Sequence, residues 1–429
     1  MKDLSQRCGD SRGVTMVGLL GDLPNDWRVV PFGDVVSDSA FGPRFSGDLY
    51  ADDGNVATLR TTDMDDDGAI SYETMPLAKL DTAKFQNHIL RKDDLVITRS
   101  GTCGIAGIFR GFEKPVLPGA FLIRLRLNEQ ADVRFYRYFF NSKQGREHLL
   151  SIAAGAVQQN INITNLEKLP VPLPPLPVQR RIAVILCAYD DFIENCERRI
   201  RILEEMARAL YREWFIHFRY PGHEKSKLVP SPLGPIPQGW EICTLGDLVQ
   251  FKSGFAFKGG TFTADGEHRL VTIRNVQDGA FNPESVSRIR ELPAKLPPYC
   301  LLENGNILLS LTGNVGRVCL VYDGPFVLNQ RVSQLVPTEN FDWAMIYCMF
   351  REPEMRVRLE QLSNGVAQQN LSPVLASKME IARFPDELRQ TFATKATPMV
   401  RRIVQLYSTI HNLRKTRDLL LPRLLSGTS

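Results

Sequence analysis

The sequence predicts an α+β protein in which two duplicated globular domains are separated by an antiparallel two-helix coiled coil. Three observations carry this prediction: a repeat that spans both halves of the chain, a heptad pattern after each copy of the repeat, and short β-rich runs between Gly and Asp turns within each copy. The length of 429 residues, with 43% hydrophobic and 23% charged residues, fits a globular protein of two or three domains.

The repeat has a period of roughly 210 residues, which indicates two duplicated domains rather than a solenoid. Trp27 corresponds to Trp240, and Asp34 corresponds to Asp247. The matched words are PNDWRVVPFGDVV (24–36) and PQGWEICTLGDLV (237–249), TLR (58–60) and TIR (272–274), LVITRSGTCGIAGIF (95–109) and ILLSLTGNVGRVCLV (307–321), and AAGAVQQNI (153–161) and SNGVAQQNL (363–371).

A heptad seam covers residues 180–214, and its steps alternate between four and three residues. This spacing predicts a helix packed along another helix, although a long helix within a single domain would show the same pattern. The other faces carry three i,i+4 pairs, Glu194–Arg198, Glu197–Arg201 and Glu204–Arg208. The seam residues are Ile182, Leu186, Tyr189, Ile193, Cys196, Ile200, Leu203, Ala207, Leu210 and Trp214.

The repeat supplies a second helix with a matching seam. Only Arg417, which corresponds to Ala207, breaks its apolar pattern, and Pro398 either kinks the helix or marks its first turn. The linker between the halves is too short to run back along the first helix, so we expect the two helices to be antiparallel. The second seam consists of Phe392, Ala396, Met399, Ile403, Leu406, Ile410, Leu413, Arg417, Leu420 and Leu424.

These patterns predict six segments along the chain. They are an N-terminal tail (1–23), a first domain (24–174), a spacer helix (175–220), a linker (221–236), a second domain (237–383) and a C-terminal spacer helix (384–429). The proline-rich stretch at 171–177 is expected to be an extended spacer. Within the domains we expect strands at 94–98, 121–127, 306–311 and 326–336, and helices at 133–150 and 342–362.

Bulk composition excludes several classes of protein. The net charge of +4 is compatible with a nucleic-acid partner but too mild to argue for one alone. There is no run of 18 apolar residues and no signal-peptide core, so we expect no membrane segment. The eight cysteines include no CxxC pair, which favours free thiols in a reducing cytoplasm over a zinc site.

Motifs for catalysis or metal binding are incomplete. The acidic stretch 63–73 resembles the start of an EF-hand loop, but Glu73 is one residue short of the bidentate position, so a β-hairpin turn is favoured over calcium. The Walker-like stretch 254–261 lacks the lysine before Thr261. The Pro-Pro-Tyr at 297–299 follows Leu296 where an adenine methyltransferase would need Asp or Asn. We therefore predict no catalytic residue and no metal site.

The candidate functional residues are polar, and several are duplicated in the repeat. Amide groups read base edges and phosphates well, so these residues are candidates for contact with DNA, although an amide-rich helix cap, a domain–helix hinge or a solvated surface is the favoured interpretation of the residues alone. The candidates are Gln158, Gln159 and Asn160 with Gln368, Gln369 and Asn370, the loop residues Arg99 and Thr102 with Thr312, Asn314 and Arg317, and the strand-end residues Arg60 and Arg274.

The chain resembles the specificity (S) subunits of type I restriction–modification enzymes over residues 24–427. Two departures are the N-terminal tail and the second spacer entry, IARFPDELRQTF (381–392), which lacks the proline-rich form of the first. The words that carry the resemblance are WRVVPFGDVV and WEICTLGDLV at the domain openings, FKSGFAFKGGTF (251–262), the Gly-x-x-Gln elements GAVQQNI and GVAQQNL, LPPLPVQRRIA (173–183) with EEMARALYREWF (204–215), and RKTRDLLLPRLLSG (414–427).

The resemblance implies a non-catalytic, cytoplasmic DNA-reading subunit. Each target-recognition domain would read one half of a split site in double-stranded DNA, and the helices would set the gap. Two methylation (M) subunits with S-adenosylmethionine would dock on it, and restriction (R) subunits with ATP and Mg would join for defence against foreign DNA. Two alternatives stay open: a DNA-recognition subunit of another multi-subunit defence system without a nuclease partner, and a fused adenine methyltransferase.

Overall fold

The structure of the protein is a computed structural model that describes residues 23–24, 26–153, 160–284, 286–363 and 370–426. The chain divides into two compact units, unit 1 (Met1–Asp191 with Arg414–Ser429) and unit 2 (Phe192–Leu413). Each unit combines one copy of the repeat with parts of both long helices. The predicted α+β class and the duplication are therefore confirmed. The domain limits drawn from the sequence stay predictions.

Unit 1 contains a four-stranded antiparallel sheet, a three-stranded mixed sheet in which β3 and β7 are parallel, and a short two-stranded ladder. Its sheets have the orders β2-β8-β5-β6, β4-β3-β7 and β1-β9. Its elements are β1 (Arg28–Pro31), β2 (Val36–Phe41), β3 (Val56–Leu59), β4 (Leu77–Ala78), β5 (Leu95–Thr98), β6 (Ala106–Ile108), β7 (Val116–Pro118), β8 (Leu122–Leu127), α1 (Val133–Asn141), α2 (Lys143–Ser151), α3 (Ile163–Glu167), β9 (Pro170–Leu173) and the start of α4 (Leu176–Tyr211).

Unit 2 repeats this plan with a wider second sheet. Its sheets have the orders β13-β21-β18-β19, β14-β16-β15-β20-β17, β12-β22 and β10-β11. Its elements are β10 (Leu228–Val229), β11 (Ile236–Pro237), β12 (Glu241–Thr244), α5 (Leu245–Leu248), β13 (Val249–Ser253), β14 (Phe262–Thr263), β15 (His268–Val271), β16 (Ser287–Ile289), β17 (Leu301–Leu302), β18 (Ile307–Ser310), β19 (Val318–Leu320), β20 (Phe326–Leu328), β21 (Val332–Pro337), α6 (Trp343–Phe350), α7 (Pro353–Gln361), α8 (Pro373–Ser377), β22 (Glu380–Arg383) and most of α9 (Asp386–Ser426).

The ends of each globular domain are joined by a strand pair. Strand β1 pairs antiparallel with β9, and β12 pairs in the same way with β22. The first three residues of the predicted proline-rich spacer thus belong to β9. Proline is tolerated there because a two-stranded ladder leaves one side of each strand free of backbone partners. The predicted linker likewise holds β10 and the first residue of β11, and these two strands pair as a short hairpin.

The two long helices run antiparallel. In unit 1, Ile182 near the start of α4 shares a hydrophobic core with Leu425 near the end of α9. In unit 2, Trp214 follows the end of α4 and packs edge-on against Phe392 near the start of α9, with ring centroids 5.9 Å apart. Helix α4 passes into a π-helical turn at Arg212–Ile216.

The structure places the seam residues largely inward. The partly buried seam positions are Tyr189, Leu203, Leu210, Met399, Leu413, Leu420 and Leu424. The buried seam positions are Ile182, Leu186, Ile193, Cys196, Ile200, Ala207, Trp214, Phe392, Ala396, Ile403, Leu406, Ile410 and Arg417.

Two local expectations need correction. Helix α9 begins at Asp386, so Pro398 lies inside it and does not mark its first turn. Packing of the apolar face on both sides of the proline, where Phe392, Ala396 and Val400 are buried, offsets the roughly 3 kcal/mol that an interior proline costs. Glu204 does not pair with Arg208 on the helix surface: Glu204 pairs with Arg351 of unit 2.

Helix and strand limits differ from expectation in three further places. The predicted helix at 342–362 is two helices, α6 and α7, with Arg351 and Glu352 between them. The helical stretch at 133–150 is split because Ser142 ends α1 and caps α2 by accepting from the Gly145 N–H. The run at 326–336 forms two strands, β20 and β21, with a turn between them.

Candidate nucleic-acid interface

Each unit carries the same three-part surface feature at one end of its four-stranded sheet. It consists of a β-turn before the long strand, a Gly-x-x-Gly loop, and the last asparagine of the amide-rich stretch with the residue after it. We call these features the unit 1 tip (99–104, 119–122 and 160–161) and the unit 2 tip (311–316, 329–332 and 370–371). They bring together most of the predicted candidates that the structure describes.

Backbone hydrogen bonds hold the unit 1 tip together. The Leu122 N–H donates to the Gly119 carbonyl (2.9 Å), which closes a turn with Ala120 and Phe121 at its centre. The Phe121 carbonyl accepts from the Arg99 N–H (2.8 Å), and the Arg99 carbonyl accepts from the Ile161 N–H (3.0 Å). The three segments are therefore one connected structure.

The unit 2 tip uses the same bonds at the matched positions. The Val332 N–H donates to the Asn329 carbonyl (3.0 Å) around a turn centred on Gln330 and Arg331. The Arg331 carbonyl accepts from the Leu311 N–H (3.1 Å), and the Leu311 carbonyl accepts from the Leu371 N–H (2.8 Å). The framework is thus duplicated, while the side chains on it differ.

A buried hydroxyl group fixes the loop of the unit 1 tip. The Thr98 hydroxyl donates to the Thr102 carbonyl (2.5 Å) and accepts from the Ile105 N–H (2.8 Å). Gly101 and Gly104 have φ values of 79° and 88°, a region that favours glycine. Thr102 therefore lies at an exposed bend, with its side chain free to face a ligand.

Ser310 has the same role in unit 2. Its hydroxyl donates to the Asn314 carbonyl and accepts from the Arg317 N–H (3.1 Å). Gly313 and Gly316 again have positive φ values, 74° and 81°. Asn314 is exposed at this bend, as Thr102 is in unit 1.

Two predicted residues meet directly in the unit 1 tip. The Arg99 guanidinium donates from Nε (3.1 Å) and Nη2 (2.9 Å) to Oδ1 of Asn160, and it lies 4.1 Å from the ring centroid of Phe41. Burial and the nearby Arg44 cation lower the pKa of Arg99. The repulsion between these two cations, which lie beside an exposed amide, would be relieved by an anion such as a phosphate.

The predicted residues of the unit 2 tip differ from those of the unit 1 tip in burial and in hydrogen-bond partners. Thr312 pairs through its backbone with Asn370, but its side chain is only 2% exposed, so it does not face solvent. Nη1 of Arg317 donates to Oε1 of Gln277 (2.7 Å), which holds this guanidinium within unit 2. The exposed polar side chains at this tip that sequence reasoning named are therefore Asn314 and Asn370.

The remaining predicted arginines lie outside the tips. Arg60 binds Asp63 through its guanidinium (Nη2 to Oδ1, 2.8 Å) and donates to the Thr74 carbonyl (2.7 Å), so it organises the following turn. The pKa of Arg60 is raised chiefly by its hydrogen bond to Asp63. Arg274 is exposed in a turn and lies three residues beyond the end of β15. Its repeat partner, Arg60, directly follows the end of β3.

The amide candidates Gln158, Gln159, Gln368 and Gln369 lie outside the described residues. The acidic stretch after Asp63 forms a tight turn with an antiparallel bridge between Met64 and Ile70, as the hairpin prediction required. Within the described ranges no cluster of His, Cys, Asp and Glu suits a metal ion. In the same part of the chain no helix combines the length and apolar character needed to span a bilayer.

Sequence reasoning missed the central residues of the two tip turns. Phe121 is 56% exposed, and Gln330 and Arg331 are exposed at the matched place. A signal existed: the strands on both sides of the turn align in the repeat, yet Ala-Phe stands in one copy and Gln-Arg in the other. A chemical difference at an exposed turn on a shared framework indicates positions that vary with the ligand.

The sequence matches a known family over most of its length. The profile of the type I restriction modification DNA specificity domain matches residues 24–205 and 237–374. The type I restriction enzyme MjaIX specificity subunit of Methanocaldococcus jannaschii is 28% identical over 298 residues, which are 68% of this chain and 67% of the relative. The MjaVIII specificity subunit of the same organism is 25% identical over 370 residues, or 82% and 81% of the two chains.

A solved structure shares the fold. The crystal structure of the type I restriction–modification S subunit from M. genitalium superposes with a TM-score of 0.61 and covers 94% of this chain and 98% of its own. The two sequences are 18% identical, so this similarity supports the fold and not the function.

Proposed function

The chain belongs to the type I restriction–modification DNA specificity family, and on this premise we propose that it is the non-catalytic subunit that directs such a complex to one DNA sequence. Each globular domain reads one half of a bipartite, asymmetric site in double-stranded DNA through its tip. The two antiparallel helices set the gap between the halves. The alternative of a fused methyltransferase is weakened by Leu296, which stands where the catalytic Asp or Asn would be.

The duplicated tip is the observation that carries this proposal. Both tips use the same turn, the same hydroxyl-pinned loop and the same asparagine, Asn160 or Asn370, on one backbone framework. Amide groups on a rigid framework suit base edges and phosphates. Because the exposed side chains differ between the tips, the two half-sites should differ in sequence.

The complex would need further subunits for chemistry. We expect two methylation (M) subunits, in keeping with the duplication, and restriction (R) subunits that join them in the cytoplasm. The M subunits would use S-adenosylmethionine, and the R subunits would use ATP and Mg²⁺. This chain would supply the binding surfaces and the sequence specificity.

A domain exchange tests the proposal. The full chain is co-expressed with its M subunits in a host without other DNA methylation, and methylated motifs are sequenced. Replacing residues 24–170 by those of a related S subunit should change one half-site and leave the other half and the gap unchanged. Replacing the linker 221–236 is the control and should leave the motif as it was. A continuous palindrome, or a change in both halves, contradicts the proposal.

A further inference from the structure

We propose that the second central residue of each tip turn reads a base, so that Arg331 selects guanine in the half-site of unit 2. The inference rests on the proposed function and names a specificity residue within it. The same position in unit 1 holds Phe121. Its hydrophobic ring offers contact to a thymine methyl group instead of a hydrogen bond.

The backbone of the unit 2 turn is fixed without help from the Arg331 side chain. The Gln330 N–H donates to Oδ1 of Asn329 (2.8 Å) and lies 3.0 Å from the Phe255 carbonyl oxygen. The Phe255 N–H in turn donates to the Leu328 carbonyl (3.0 Å). The turn is therefore held on both sides, by the loop and by the segment that follows β13.

A matched glycine seats each turn against its sheet. The N–H of Gly254 donates to the Val332 carbonyl (3.1 Å), and the N–H of Gly42 donates to the Leu122 carbonyl (3.0 Å). A Cβ at Gly254 would lie 2.3 Å from the Asn329 carbonyl oxygen, and one at Gly42 would lie 2.0 Å from the Gly119 carbonyl oxygen. Only glycine allows this approach, so both copies of the repeat keep the turn in one place.

The side chain of Arg331 is exposed on this fixed turn. Among the described residues it makes no ion pair or side-chain hydrogen bond, whereas Arg317 in the adjoining loop binds Gln277. A guanidinium on a rigid element matches O6 and N7 of guanine with two parallel hydrogen bonds. A lysine at the same place would keep the charge and lose the two-pronged geometry.

The comparison of the tips favours base reading over phosphate binding. A phosphate-binding position would hold a cation in both copies, because both half-sites have the same backbone. Position 331 holds a cation, but the matched Phe121 is uncharged and 56% exposed. Unit 1 already has two other cations for a phosphate, Arg44 and Arg99.

The test compares methylated motifs of wild type, Arg331→Ala, Arg331→Lys and Arg290→Ala in the complete methylation complex. The half-site assigned to unit 2 by domain exchange should contain a G·C pair whose preference falls roughly tenfold or more in both Arg331 variants. Arg290, an arginine with a 72% exposed side chain that pairs with Asp265, is the matched control and should leave the motif unchanged. Phe121→Ala should alter only the other half-site.

The outcomes separate this inference from the proposed function. A bipartite wild-type motif that is unchanged in Arg331→Ala overturns the inference alone. A motif retained by Arg331→Lys, with uniformly weaker binding of Arg331→Ala to all sequences, identifies a phosphate contact and also overturns it. A wild-type motif that is not bipartite overturns the proposed function itself. Thermal unfolding of each variant is measured first, and Arg331→Lys decides the result if Arg331→Ala does not fold.

Discussion

Single buried side chains set how unit 1 responds to pH, and His148 in α2 is a clear case. Its side chain is fully buried, and its Nε2 lies 2.7 Å from the Pro170 carbonyl oxygen, so Nε2 carries the proton and donates. Among the described residues its Nδ1 has no partner. Burial lowers the pKa of His148, because the charged imidazolium would lose its hydration.

We predict that unit 1 loses stability as pH falls from 7 to 5. The pKa of His148 is lower in the folded state than in the unfolded state, so the unfolded chain binds more protons below the unfolded value of about 6.5. Chemical denaturation at both pH values should show a smaller loss for His148→Gln than for the wild type. His88→Gln, a change at a less buried imidazole, is the control. Equal losses in wild type and His148→Gln would show that this histidine does not govern the effect.

Charged contacts tie the long helices to the globular domain within each unit. In unit 1, Arg417 of α9 binds Asp190 of α4 (2.8 Å) and Asp67 of the globular domain (3.1 Å). In unit 2, Glu204 of α4 binds Arg351 (2.7 Å), and Arg208 of the same helix binds Glu352 (3.0 Å). The break in the heptad pattern at Arg417 thus has a physical reason, because an arginine there reaches the acidic turn of the first domain.

We predict that Arg417→Ala weakens the packing of the C-terminal end of α9 against the rest of unit 1. Asp190 would keep Arg137 (2.8 Å) and the Tyr138 hydroxyl (2.7 Å) but lose one cation, and breaking a largely buried pair costs about 3 kcal/mol. Hydrogen exchange should show faster exchange of the amides at 414–426, with little change in the domain strands. Lys415→Ala, an exposed neighbour, should leave exchange as it was. If the amides at 414–426 exchange no faster in Arg417→Ala, apolar packing alone holds this end of the helix in place.

Features that follow from local periodicity could be predicted from the sequence, and features set by tertiary contacts could not. The heptad seams and the repeat lie in residue spacing, which is why the antiparallel helices were predicted. Arg60 was assigned to a DNA-facing surface because its partner Asp63 becomes visible only once the turn is folded. The burial of Thr312 could not be predicted for a similar reason, since it depends on the sheet around this residue. The tip turn was missed because Gln330 and Arg331 contribute exposed side chains and no periodic pattern.

At the scale of the whole molecule, the proposed function assigns the choice of bases and the distance between the half-sites to different parts of the duplicated framework. The tips hold the chemistry that differs between the copies, whereas the helices hold a matched seam without a candidate DNA-reading residue. If the helices set the gap, their length and the identity of the bases should vary independently. This separation predicts the outcome of lengthening both helices together.

We predict that one heptad inserted into α4 between Arg201 and Ile202, and one into α9 between Val404 and Gln405, lengthens the gap and leaves both half-sites unchanged. Seven residues preserve the seam and add about 10 Å of helix, which equals about three base pairs of DNA. Three base pairs also turn the duplex by roughly a third of a helical turn, so methylation should be slower even where the motif is kept. Inserting three residues at the same places is the control, because it shifts the seam out of register and should destabilise the helix pair. An unchanged gap in the methylated motif of the heptad variant would show that the helices do not measure the site.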